Sequence, residues 1–426
     1  MLDRSNGARP AALALALLLA AGAAVAADEF ESPPAESPAA ILPADLASGA
    51  DHHVVDPVAS DGLVRRYVVD SRFGRFDAYG RVALEGRVRE VHALAELAKR
   101  SKAEVVAGGV GRGVAGQLQT AVGVVTHPVA TVAGIPRGIA HLFHGYADEA
   151  NEAVAGAKRA TAPGRGGGEP PTAAQADQAV KRYADRYLGV TAAERRWYRD
   201  LGVDPYTDNA PLREAIHRDA KLEAGAGFGL KFVGLPAIPG IGIAARAEQA
   251  IYNEDPATVR ARQRKRLAAY GLTPDEIARF ENAPLLSPTR QVLLLEAAAA
   301  LEGVEGRGEL VRHALDLTSD AEAQVYLQSA GLLALAHREH PLAAVLPGVR
   351  LPVARRADGS LVVCGAFEAV YWTPDVESAE RALRAALPEA ASRELWLDGT
   401  ASAMTRAALS ARGWALRESM AATGAR

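Results

Sequence analysis

Apolar residues recur at three- and four-residue intervals through the middle of the chain, the period of helices buried on one face. Start signals mark where these helices begin. Thr191 with Glu194, Thr273 with Glu276 and Ser319 with Glu322 make the S/T-x-x-E capping box, and Pro274 and Pro288 stand at first helical positions. Helices are therefore predicted near 175–188, 192–201, 210–223, 256–270, 274–282, 288–302, 308–317 and 320–338. Upstream, "EGRVREVHALAELAKRSK" places Val88, Val91, Leu94 and Leu97 on one helical face. Before it, "RRYVVDSRFGRFDAYGRVAL" is rich in aromatic and β-branched residues with spaced glycines, which predicts a short hairpin. After residue 348 the pattern changes again. Two β-prone runs flank Asp358-Gly359, a strong hairpin signal, and a helix, a strand, a helix and a strand follow. Trp372, Trp396 and Trp414 are expected to pack there. The predicted fold is mainly α: a multi-helix body with a short N-terminal β-hairpin and a small C-terminal α/β domain of order β-β-α-β-α-β.

The ends and breaks of the pattern divide the chain. Residues 1–26 carry Arg4 and Arg9, an apolar run of about 13 residues and the small residues Ala24-Val25-Ala26, the layout of an export signal. Residues 27–62, rich in Pro, Ala, Ser and acids without a sustained period, predict a disordered leader. Residues 63–160 follow as the hairpin plus a Gly-rich helical segment, 161–174 ("TAPGRGGGEPPTAA") as a linker, 175–340 as the helical domain and 348–420 as the α/β domain. Export places the mature protein in the periplasm or at the cell surface. With no cysteine near the cleavage point, a lipoprotein is not expected.

Composition narrows the class without naming a chemistry. With 49% hydrophobic and 23% charged residues the chain is ordinary for a globular protein, and a formal charge of -3 gives no pull toward nucleic acid. Cys364 is the single cysteine and lies in an apolar strand-like run, so a buried, inert thiol is expected and packing must hold the fold without disulfides. Gly111, Gly113 and Gly116 have dinucleotide-binding spacing, but the preceding strand and the acidic ribose ligand are missing, and no cofactor is expected. His141 with His144 and His337 with His340 share a helical face without a third ligand, and His52-His53 lies in the leader, so no metal site is predicted. The basic run Arg260 to Arg266 is expected to be a solvated helix face.

Two features resist a purely structural account. "YRDLGVDPYTDNAPLREAI" is the densest polar cluster, and Asp204, Tyr206 and Asp208 form a candidate polar site on its loop, although capping explains most of the segment. "AVGVVTHPVATVAGIPRGIAHLF" sets Val125, Val129, Val132, Ile139 and Phe143 on an apolar stripe, and "AGAGFGLKFVGLPAIPGIGIAA" is nearly as apolar. Packing of these two segments on each other is favoured over a membrane-facing role, because Lys231 and the prolines penalise spanning.

The segments "RRYVVDSRFGRFDAYG", "THPVATVAGIPRGIAHLF", "LGVDPYTDN" and "ELWLDGTASAMTRAALSARGW", in that order, resemble a group of exported bacterial proteins of unknown function. That resemblance implies an exported fold and carries no catalytic residue or cofactor. The expected function is that of a non-catalytic envelope protein acting by association with an envelope protein or a membrane surface. The alternative is a periplasmic hydrolase whose site is assembled from residues distant in sequence.

Overall fold

A computed structural model describes residues 30–107, 142, 190–222 and 243–420. Two short helices, α1 (Pro38–Ile41) and α2 (Ala44–Ala47), lead into strands β1 (His52–Val54), β2 (Ala59–Ser60), β3 (Arg65–Ser71) and β4 (Gly74–Tyr79). The four strands make one antiparallel sheet centred on β3. β4 follows one edge of β3, from Arg66↔Tyr79 to Ser71↔Gly74, and β1 and β2 share the other. Alternation turns Tyr67 and Val69 inward, where they are buried with Leu42, Leu46, Val54 and Val58.

Helix α3 (Arg81–Ala107) closes over this face and joins two cores. Leu84, Val88 and Val91 belong to the cluster under the sheet, while Ala93, Leu94 and Leu97 belong to a second cluster that runs on to Met420. Large apolar side chains of this kind contribute roughly 1.5–3 kcal/mol each when fully buried, so α3 fastens the sheet to the rest of the molecule.

The body continues with α4 (Ala192–Leu201), α5 (Ala210–Leu222) and α6 (Ile243–Glu248), which runs into a π-helical turn at Gln249–Asn253. It is completed by α7 (Pro256–Ala269), α8 (Pro274–Glu281), α9 (Pro288–Ala300), α10 (Gly308–Ala314) and α11 (Asp320–Glu339). From Ala321 to Ala336 every residue of α11 except Gln324 is buried, as expected of a helix enclosed on all sides. It packs against α9 and against the C-terminal sheet.

That sheet has the order β11 (Trp414–Arg417), β9 (Arg393–Leu397), β7 (Leu361–Gly365), β6 (Val353–Arg355), β5 (Ala344–Val345), parallel from β11 to β7 and antiparallel beyond. Helices α12 (Pro374–Ala386) and α13 (Ala403–Ala411) connect its parallel strands, and β8 (Ala369–Val370) pairs with β10 (Thr400–Ala401). β7 is buried throughout, and Leu361 to Cys364 expose nothing, in keeping with a central strand covered by α11.

Two carboxylates tie distant parts together. Glu31 accepts from the Trp372 amide at 2.7 Å and the Ser402 hydroxyl at 2.5 Å. Glu368, next to β8, accepts from the Arg81 amide in the first turn of α3 at 2.5 Å, and from the Arg65 amide and the Tyr67 hydroxyl at 3.3 Å each. Gly399 lies against it, where an added β-carbon would stand 1.9 Å from the Glu368 carbonyl oxygen.

The mainly α architecture predicted from periodicity is corrected. The structure is about 52% helical and 16% strand, with several sheets. The predicted lone hairpin is the centre of a four-stranded sheet, and the C-terminal strands share one core with the helical body. Residues 30–62, expected within a disordered leader, supply α1, α2, β1 and β2. Their few apolar residues suffice because β3 offers an unpaired edge and a face that Leu42, Leu46, Val54 and Val58 cover.

Candidate functional site

A cavity of about 290 Å³ lies where five stretches of chain meet: the end of β4, the first turns of α3, the loop after α4, the entry to α9 and the start of α11. The loop after α4 forms its floor. Gly202 ends α4 in the left-handed conformation (φ 67°), which turns the chain sharply out of the helix. The Tyr252 hydroxyl donates to the Val203 carbonyl at 3.0 Å and anchors the turn.

Asp204 comes next. Its Oδ1 accepts from the Tyr206 amide at 2.9 Å and from the Thr289 hydroxyl at 2.6 Å, so one oxygen fixes both its own loop and the entry to α9. Protein surrounds the carboxyl, and the residue keeps partial surface where it lines the cavity. Burial pushes its pKa up to about 6, against the opposing pull of Thr289 and the Tyr206 amide.

Arginines hold the cavity's other acids. Arg87 forks onto Asp208 at 2.6 and 3.0 Å and also reaches Glu90 at 3.0 Å. Burial raises the Asp208 pKa, but the Arg87 fork outweighs it and holds the carboxyl below its ordinary range. Glu90 also accepts from the Thr207 hydroxyl and, at 3.1 Å, from the Asn209 side-chain amide. Asn209 in turn accepts from the Leu212 amide and caps α5. Arg290 pairs with Asp320 at 2.7 Å, and Arg66 with Asp77 at 2.9 Å. Arg89 lines the same cavity with its pKa lowered by burial.

Asp204, Tyr206 and Asp208 therefore converge on one cavity, in three different positions. Asp204 is the floor, Tyr206 is a buried wall, and Asp208 is an exposed member of the Arg87 pair. The apolar stripe Val125, Val129, Val132, Ile139 and Phe143 lies outside the described residues, as do His141, His144 and the glycines of "AGAGFGLKF". His337 accepts from the Leu342 amide at 3.0 Å at the end of α11, and His340 caps that helix through its backbone. His52 is buried with its Nε2 3.2 Å from the Leu46 carbonyl and its ring edge-on to His92. Among the described residues, no group of three or more His, Cys, Asp or Glu is placed to hold a metal. In the basic run, Arg262, Arg264 and Arg266 pair with Glu254, Glu281 and Glu296. Sequence reasoning missed Glu90, Arg89, Thr289 and Arg290, which it read only as parts of helices. The one available signal was Arg87 and Glu90, a charged pair three apart beside the apolar stripe of α3.

Set against family models, curated proteins and solved structures, the chain matches none.

Proposed function

We propose that this is an exported protein that acts by binding, with the cavity floored by Asp204 as its recognition site. The observation that carries this reading is the construction of the floor: a carboxylate held in place by Thr289 and the Tyr206 amide inside a cavity walled by separate elements. Concave sites in which a few fixed polar groups orient the ligand are the usual form of small-ligand sites, and this cavity, half open to solvent, sets such groups among apolar side chains. Calorimetric titration of the mature protein with pools of small polar metabolites tests it. Binding is expected to disappear in Leu285→Trp, which puts an indole in place of a lining side chain, and binding that survives this change sets the reading aside.

One observation favours a hydrolase as a second reading. A carboxyl with a pKa of about 6, hydrogen-bonded to the Thr289 hydroxyl, is suited to general acid–base work. Turnover of chromogenic ester, peptide, glycoside or phosphate substrates that is lost in Asp204→Asn establishes catalysis over binding. An inactive wild-type protein across that panel leaves the binding reading in place.

A further inference from the structure

We infer that the occupant of the cavity is a small primary amine, bound as its ammonium ion with Asp204 as counter-ion. The inference rests on the binding reading above and names its ligand. Four other carboxylates line the cavity, and each has an arginine: Glu90 and Asp208 share Arg87 at 3.0 and 2.6 Å, Asp320 has Arg290 at 2.7 Å, and Asp77 has Arg66 at 2.9 Å. Asp204 has only neutral donors. Both of them, the Tyr206 amide and the Thr289 hydroxyl, bond to Oδ1, and Oδ2 has no hydrogen-bond donor among the described residues. An enclosed carboxylate with no cation in direct contact is unfavourable, because charges removed from water require partners, and Arg290 acts on Asp204 only from beyond hydrogen-bond distance while Glu90 opposes it. A ligand that supplies the cation removes that penalty, which selects for positive charge at this point of the cavity.

The rest of the wall defines the ligand further. A primary ammonium brings several N–H donors and suits an acceptor oxygen such as Oδ2. Gln324 lines the same cavity, and its side-chain amide makes no hydrogen bond among the described residues, which offers a second acceptor. Val82, Ala83, Val203, Leu285, Leu293 and Leu327 supply apolar wall for a short hydrocarbon body. An anionic ligand is disfavoured, because Arg87 and Arg290 are already committed to carboxylates that a newcomer would have to displace, and Arg89, the third arginine of the wall, is engaged as well and has its charged form disfavoured by burial.

The test is calorimetric titration of the mature protein at pH 7.5 with butylamine, hexylamine and 1,4-diaminobutane, and separately with butanol, butyrate and calcium chloride. The amines are expected to bind, with butanol and butyrate weaker by about tenfold or more, the worth of one charge-assisted hydrogen bond. Asp204→Asn keeps an acceptor for Thr289 and the Tyr206 amide, so it is expected to fold, as circular dichroism checks, and to lose the preference for amines. Butanol binding as well as butylamine, butyrate or calcium binding in preference to the amines, or amine binding unchanged in Asp204→Asn overturns the amine assignment. If such binding is still abolished by Leu285→Trp, the cavity reading survives. No binding by any of these probes overturns the amine assignment, and the cavity reading then falls only if the wider metabolite pools fail as well.

Discussion

Asp204 shows what a single residue contributes and costs. Its pKa is near 3.8 in an unfolded chain and about 6 in the fold, so between these values the native state holds more protons than the unfolded one. Stability from this group is therefore present in acid and is lost as pH rises through 6, by up to about 3 kcal/mol at neutral pH. Asp204→Asn abolishes that dependence. We predict that urea unfolding at pH 7.5 will show the variant more stable than the wild type, with the difference shrinking toward pH 4. Equal stability at both pH values contradicts the raised pKa. Much of this site was legible. The density of polar residues between Asp204 and Asp208 stands out in the sequence, and capping accounts for only part of it, namely Asn209 at the start of α5. What distinguishes Asp204 from Asp208 was not legible, because it depends on Arg87 and Thr289, 121 and 85 positions away from the carboxylates they serve.

At the scale of elements, α3 depends on a carboxylate from the far end of the chain. Glu368 accepts from the Arg81 amide in the helix's first turn, where backbone donors lack intrahelical partners, while its second oxygen receives donors from β3. Burial pushes its pKa up to about 7, and Arg65 opposes the shift. Replacing Glu368 with Ala should cost about 1–2 kcal/mol, comparable to losing a helix cap. A lowered urea midpoint checks it, and an unchanged midpoint shows that water replaces the carboxylate. Local caps were the legible part of these elements. Thr191 with Glu194 and Thr273 with Glu276 form reciprocal boxes, and Ser319 caps α11, although Glu322 turns to the Thr318 amide and hydroxyl. The strands were less legible for a physical reason. β2, β5, β8 and β10 have two residues each, too few for any alternation; β2 and β5 exist because a longer strand presents an edge to them, and β8 and β10 because the fold brings the two together.

At the scale of the molecule, the second core cluster runs without a break from Leu63 through the helical body to Met420. α11 covers β7, so the C-terminal strands excised as residues 348–420 would expose a face that the intact fold buries. We predict that this piece alone will not give a dispersed NMR spectrum. The intact protein should unfold in one transition, with tryptophan fluorescence and circular dichroism coinciding. Cys364 makes that cooperativity measurable in time. It is the chain's single thiol, it lies within β7, the central strand of the sheet, with no exposed surface, and burial raises its pKa, so a thiol reagent meets it only when the sheet opens. Labelling of the native protein thus acts as a clock that counts openings one molecule at a time. At high reagent concentration its rate should level off at the unfolding rate constant, and at low concentration it should follow the equilibrium population of open molecules. Rapid labelling of the native protein would mean that β7 opens locally, well before the molecule unfolds.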